Sequence, residues 1–427
     1  MTTIIEPERE IEVKGTYDVI VCGGGPAGVA AAVASARAGA RTLLLEVNGC
    51  LGGIWTAGLL PWILDHNDKQ GLMREWREAL LESGAANYPP HSKSLACDVE
   101  SMKLHLERQC LEAGADILLH CRVVAAATSD GAIGQVITES KSGREAWSAS
   151  VFVDATGDGD LSAFAGCEFD FGDEQGATQP MSMTALITGI SLPEVTCYLN
   201  GYHTGPWGTE KALLKAEMAR AGVEPSYAFP SIVHVKDDLF LLGANHQYKV
   251  SALSAADITR ASLESRHEVN KLVAALRSLG GVWKNLQLVA TSEQIGIREG
   301  RRIKGLYELK VDDLLAGRQF DDAICKCRFG IDVHSPDPDE TKGISSQGKF
   351  KTRPYDIPLR ALISKDISNL LMAGRCISGD FLAHSSYRVT GNAVPMGEAA
   401  GRVAAECALK RISLQEYPLR LHPAAPR

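Results

Sequence analysis

The chain lacks any apolar run approaching the ~18–20 residues of a membrane span. Its opening stretch, MTTIIEPEREIEVKG, has no apolar core of the kind that directs secretion. The expectation is a cytoplasmic protein with no membrane span. A basic surplus is also missing: 44 Lys and Arg stand against 52 Asp and Glu, a formal charge of −8. The densest basic run, IREGRRIKG (297–305), is short and lies in mid-chain. Nucleic acid, which calls for a strongly basic face, is therefore not an expected partner. Cysteine is present but unpatterned. Its 11 copies are odd in number and scattered, and Cys22, Cys121 and Cys407 sit in apolar runs as small hydrophobes. The Cys325–Cys327 pair is too isolated for zinc, so neither disulfides nor a metal centre is expected.

What is present is a globular composition, 45% hydrophobic and 22% charged, over 427 residues, enough for about two domains. YDVIVCGGGPAGVAAAVASARAGARTLLLE (17–46) reads as one βαβ unit: a buried strand, a helix of small residues opened by Pro26 and closed by Gly39, and a second strand. Gly23, Gly25 and Gly28 fit G-x-G-x-x-G. Gly23 permits the tight turn, Gly25 lets backbone approach a pyrophosphate, and Gly28 allows close helix–strand packing. The helix N-terminus, at Pro26 and Ala27, offers N–H groups and partial positive charge. Glu46 ends the second strand, placed to accept from a ribose diol, with Val47 beside it. The strand, helix, second strand and terminal acid agree on a bound dinucleotide.

Amphipathic helices are expected near KQGLMREWREALLESG (69–84) and DVESMKLHLERQCLEAG (98–114), and a long one after the capping residue Ser254. From about Phe169 to Asp356 the texture changes to short strands and scattered polar residues. Two further strand-then-glycine signals follow the first: ATGDGD (155–160), and LLMAGRCISGD (370–380) some 220 residues later. The expected organisation is an α/β, Rossmann-like nucleotide domain with a parallel central sheet, written in two pieces (15–168 and 357–412). An α+β substrate or cap domain (169–356) is inserted between them, and a tail (413–427) follows.

GGGPAG, LGG…TAG, ATGDGD, IGIREGRRI.G.Y.L and NLL.AGRCIS…AH.S.RV recur here in order, from Tyr17 to about Leu409. In these motifs the chain resembles the FAD-dependent oxidoreductase family of the two-dinucleotide-binding-domain flavoproteins, the glutathione reductase/fumarate reductase-like group. The resemblance implies FAD extended along the sheet, with Glu46 on the adenosine ribose and Val123 or Val124 at the adenine edge through backbone atoms. Ala155, Thr156, Gly157 and Asp158 would lie beside the pyrophosphate. Gly374, Arg375 and Asp380 would follow toward the ribityl chain, and Gly52, Gly53 and Thr56 would approach the flavin. The start of the last helix, around Asn392 and Met396, would face its N1–C2 edge, where a helix N-terminus stabilises negative charge.

Against the wider superfamily, the C-x4-C redox pair is missing, since Cys50 has no partner at that spacing. A second G-x-G-x-x-G unit for NAD(P)H and the cysteine signature of an iron–sulfur cluster are missing as well. The resemblance sets His384 and Arg388 by the isoalloxazine, where a histidine suits proton transfer at neutral pH. Arg298, Arg301 and Arg302 share one face if EQIGIREGRRIKG is helical, and Arg298 with Arg302 would clamp a substrate carboxylate or phosphate. His203, His234, His246, Tyr248 and His334 lie in the insertion, where a substrate would approach the ring, and are read as structural groups before catalytic ones. The expected function is hydride transfer between a hydroxyl or amine carbon of a small polar substrate and flavin N5. A flavin monooxygenase using NAD(P)H and O2 and a flavin-carrying electron-transfer subunit are the alternatives. A homo-oligomer is left open.

Overall fold

The structure is a computed structural model that describes residues 3–417; the expected tail lies outside the described residues from 418 onward. Strand β1 (Val13–Cys22) is fully buried from Val19 to Cys22. Such an unbroken apolar run suits a strand covered on both faces. Helix α1 (Pro26–Arg37) follows, with Gly25 at its N-cap and Pro26 in the first position, where a missing N–H costs nothing. Parallel to β1 run β2 (Thr42–Leu45) on one side and β3 (Gly143–Asp154) on the other, and β4 (Leu370–Met372) continues parallel beside β3. The short strand Asp116–Leu118 adds to the outer edge of β2. An antiparallel meander, Arg122–Ser129 and Ala132–Ser140, leads into the first half of β3.

Register decides where a ligand can go. Cys22 is level with Leu45 on one side and Asp154 on the other, and Asp154 is level with Met372. Four parallel strands thus end on one line. The segments that leave it, starting at Gly23, Glu46, Ala155 and Ala373, meet outside the carboxyl edge of the sheet. Open parallel sheets bind ligands at such an edge, on either side of the point where strand order reverses.

Two further helices close the fold, α2 (Phe381–Tyr387) and α3 (Thr390–Lys410). Helix α3 packs on α1 through small residues: a Cβ on Gly397 would stand 1.9 Å from the Ala27 carbonyl oxygen, and one on Gly401 2.1 Å from that of Ala31. A separate antiparallel sheet takes the order Ser231–Lys236, Leu239–Gly243, Thr184–Thr188, Gln287–Thr291. The helix Ala255–Ser278 covers it, burying Val269, Leu272, Val273 and Leu276 on one stripe, and Ser254 caps it by accepting from the Asp257 N–H. This second core runs from Ala185 to Leu286, whereas Ile303, Leu309, Leu314, Cys327, Tyr355 and Ile357 join the first core. The 11 cysteines are free, eight of them buried, and among the described residues no helix is long and apolar enough to cross a membrane.

Candidate functional site

At the carboxyl edge the backbone is built for close approach. Gly23 has φ +101° and a Cβ there would meet the Ala155 carbonyl oxygen at 2.4 Å; on Gly28 a Cβ would meet the Gly23 oxygen at 1.7 Å. Gly25, between them, faces open space, with nothing within 4 Å of an added Cβ. No side chain caps α1. Among the described residues, the N–H groups of Gly25, Ala27 and Gly28 find no acceptor. Unanswered donors at the end of a twelve-residue helix, before an open glycine, fit a pyrophosphate.

Glu46 is 4% exposed; its Oε2 accepts from the Gly24 N–H, and its Oε1 from Asn48 N and Nδ2 at 2.7 and 2.8 Å. Burial raises its pKa against those donors. Oε2 keeps a lone pair for a ribose hydroxyl. Val47 is exposed, and Cys121 N bonds the Glu46 oxygen at 2.9 Å, which sets the Arg122–Ser129 strand next to it. A register shift between Val123 and Ala125 falls at Val124. The loop Gly52–Thr56 folds over the first turn: Gly52 N donates to the Gly24 oxygen at 2.7 Å, and a Cβ on Gly53 would lie 3.1 Å from the Gly25 Cα. Gly374, at φ +89°, comes down on Ala27 from the other side. Thr156 is tied to Asp154, a fully buried carboxylate that also accepts from Ser162 N and Oγ. Asp158 Oδ1 pairs with Arg375 Nη1 at 3.0 Å, holding that guanidinium against Gly157. Asp380 caps α2, accepting from Ala383 N and Val311 N.

Several expected contacts are not available. Thr56 spends its hydroxyl on the Leu51 oxygen at 2.6 Å and is buried. Met396 is fully buried in the main core, so it fills space. His384 has no exposed surface, and burial, with Arg302, Arg388 and Arg375 nearby, holds its pKa well below the ordinary value. A ring with no exposed surface is out of a substrate's direct reach, so the proton-transfer role expected of His384 is not one this arrangement offers. The reading of Arg298, Arg301 and Arg302 as one helical face also fails, because the segment is extended and irregular and Arg302–Ile303 pairs with Phe169–Asp170. Arg302 is a buried strut, donating to Glu299, the Gly379 oxygen and the Gly172 oxygen. Arg301 turns to Asp158 and Asp160.

Unpartnered buried atoms gather where the resemblance sets the flavin ring: Ser378 Oγ, both His384 nitrogens, Arg388 Nε and Asn392 Oδ1. Each such atom costs about 1–3 kcal/mol while unanswered. Ser378 precedes α2, and His384, Arg388 and Asn392 follow along it into α3, which starts at Thr390, two residues before Asn392. Together with the glycine cradle, this set fits FAD.

Next to the α2–α3 junction lies a polar cluster whose connections sequence reading missed. Arg388 Nη2 donates to the Asp332 oxygen at 2.8 Å and to Gln179 Oε1 at 3.3 Å. Asp332 Oδ2 lies 3.4 Å from His334 Nε2; His334 Nδ1 is 3.1 Å from His246 Nε2; His246 Nδ1 is 3.1 Å from the Tyr248 hydroxyl. Tyr227 stacks on His246 at 4.0 Å between ring centroids. Burial, then Arg388, lowers Arg298 to about 10, while Asp332 and Tyr227 push back. Burial raises Tyr227, with Arg298 opposing the shift and Asp332 adding to it. Arg298, Tyr227 and Asp332 nonetheless keep accessible surface. These groups are largely desolvated yet still reachable.

The fold and this edge define an α/β dinucleotide-binding flavoprotein. The chain matches the FAD dependent oxidoreductase family over residues 18–421 and belongs to it; FAD is its cofactor. A Methanosarcina barkeri protein, described as the uncharacterized protein in the nifH2 5′ region, is 43% identical over 77 residues, 18% of this chain. The match spans 38% of that protein's length, well under half. The myxobacterial chondrochloren halogenase CndH is similar in structure, with TM-score 0.51 and 13% identity over 96% of this chain and 78% of that one. A geranylgeranyl bacteriochlorophyll reductase-like protein of Thermoplasma acidophilum gives TM-score 0.48 and 13% identity over 97% and 81%. At such identities the likeness is one of fold.

Proposed function

We propose that this chain oxidises a hydroxyl- or amine-bearing carbon of a small polar substrate, within the wider two-dinucleotide-binding-domain flavoproteins. Bound FAD supplies the hydride acceptor. Gly25, Ala27, Gly28, Glu46 and Arg375 would hold it, and the α3 N-terminus would favour the charge it gains. Losing hydride from a hydroxyl-bearing carbon also means losing a proton from oxygen. The observation that carries the reading is the file Tyr248–His246–His334–Asp332.

Its polarity follows from one end. Burial opposes charge on Asp332, but His334, Arg388 and Arg298 outweigh it and hold the carboxyl well below its ordinary range. An ionised carboxylate only accepts, so His334 Nε2 carries hydrogen and Nδ1 accepts. His246 Nε2 then donates, and its Nδ1 accepts from Tyr248. Burial and Arg298 keep both rings neutral, His334 at about 4 and His246 well below its ordinary value. A proton taken by the Tyr248 oxygen releases the phenolic proton to His246 Nδ1. The Nε2 proton then moves to His334 Nδ1, leaving an imidazolium against Asp332.

An anaerobic screen of hydroxy acids, sugars, amines and aromatics, following flavin colour, tests this. Bleaching by one organic substrate alone supports it. A flavin monooxygenase is the second reading, favoured by the fold likeness to a halogenase; it calls for bleaching by NAD(P)H that an aromatic acceptor accelerates. Bleaching only by a protein partner would make the chain an electron carrier. Either of the last two results overturns the proposal.

A further inference from the structure

We infer that this polar cluster binds the substrate through a carboxylate, which Arg298 and Arg388 grip together. The inference rests on the redox reading above for the word substrate, and on the cluster's donors alone for the anion.

The donors come first. Arg298 spends only Nη1 inside the protein, on the Pro180 oxygen at 2.6 Å and Ser182 Oγ at 2.8 Å. Its Nε and Nη2 have no partner among the described residues, yet neither belongs to the buried unpartnered atoms, so both keep accessible surface. That edge is the one that engages a carboxylate with two parallel bonds. Arg388 likewise commits Nη2 and leaves Nη1 unbonded and accessible. The Tyr227 hydroxyl, against His246 and within electrostatic range of both arginines, is unbonded and accessible too.

Charge comes second. Arg302 and Glu299 neutralise each other. Asp332 answers Arg388 at 3.6 Å and also orients His334. With both histidines neutral, the guanidinium of Arg298 rests only on neutral oxygens beside a second guanidinium. A desolvated, uncompensated charge is expensive, and an incoming anion relieves it. One surplus charge matches a monoanion, a carboxylate, better than the dianion of a phosphate. Tyr227 supplies a flat wall beside it. The substrate class is then a small hydroxy or amino acid.

The test uses the FAD-loaded protein and needs no substrate. Benzoate and oxamate, neutral benzamide, and inorganic phosphate are titrated in turn, reading the flavin absorbance spectrum and the heat of binding. At least one carboxylate should bind with benzamide at least tenfold weaker and phosphate weaker than the carboxylate. Arg298→Gln should weaken that carboxylate about tenfold to a hundredfold, the range for losing one charge-assisted pair, with flavin content unchanged. Arg298→Lys should recover part of the loss, since it restores charge without the fork. If Arg298→Gln does not fold, the wild-type comparison decides alone. No carboxylate binding, equal binding of benzamide, or tighter binding of phosphate overturns the inference. Bleaching by a neutral alcohol without any carboxylate binding would sink it while leaving the redox reading intact. Carboxylate binding with no organic substrate able to bleach the flavin would do the reverse.

Discussion

Replacing Gly397 by alanine places a methyl group where α1 already runs. Its Cβ would stand 1.9 Å from the Ala27 carbonyl oxygen, whereas carbon and carbonyl oxygen rest at roughly 3.3 Å. The two helices must part by more than ~1 Å there. Gly401→Ala meets the Ala31 oxygen at 2.1 Å, one turn further from the cradle. Overpacking of this kind costs about 1–3 kcal/mol in either variant. Only the first displaces the turn that carries the Ala27 and Gly28 N–H groups. A charge-assisted hydrogen bond contributes about 1.5–3 kcal/mol, so misaligning one weakens FAD about tenfold or more. Thermal melts by circular dichroism should therefore fall by a similar few degrees for both variants. Titration of the apoproteins with FAD should separate them, Gly397→Ala losing about tenfold and Gly401→Ala staying within about threefold. Equal FAD affinity in the two would refute the idea that the crossing of α1 and α3 seats the pyrophosphate donors.

Other consequences can be measured. Tyr248→Phe removes the head of the proton file and should slow substrate-driven flavin reduction by ~10²–10⁴, with little change in KM, in anaerobic stopped-flow traces; an unchanged rate removes the file from the mechanism. Arg302→Met leaves Glu299 buried without its ion-pair partner, only the Gln179 N–H remaining, and should destabilise by about 3–5 kcal/mol in urea unfolding; a raised KM with intact stability would return Arg302 to the substrate. His334 should titrate at about 4 in histidine-labelled NMR spectra, and a value near the ordinary 6.5 would contradict its surroundings. The unfolded chain takes up a proton there that the folded chain refuses, so acidification from 6.5 toward 4 removes stability, up to ~1.4 kcal/mol per pH unit for this ring. Stability returns as pH rises through 6.5. Glu46 and Glu299, with raised pKa values, act in the opposite sense. The His334 share is read as the slope that His334→Asn abolishes; an unchanged slope would contradict it.

The cradle was legible because its parts are local. Gly23, Gly25, Gly28 and Glu46 lie within one βαβ unit, and the alternation of apolar strand, small-residue helix and apolar strand fixes their order. The second and third strand ends announced themselves through ATGDGD and AGRCISGD. The assembled polar cluster was not legible: Arg298, Arg388 and His246 could be named singly, but they meet Gln179, Tyr227 and Asp332 from segments tens to hundreds of residues apart, and no periodicity links them. The helix face drawn through Arg298, Arg301 and Arg302 misled by spacing alone: three and four residues suit such a face, but Gly296, Gly300 and Gly305 interrupt the run. A Cβ on Gly300 would meet Asp158 Oδ1 at 2.2 Å, so that glycine serves a close backbone approach. His384 misled because motif position says nothing about exposure.

The claim beneath all of this is that four strand ends form a seat for FAD. Titrating the flavin-free protein with FAD, and following flavin fluorescence together with the melting temperature, tests it most directly. One FAD per chain with a melting temperature that climbs with FAD concentration is the predicted result. A folded chain that leaves added FAD free in solution, with no shift in melting, would contradict it.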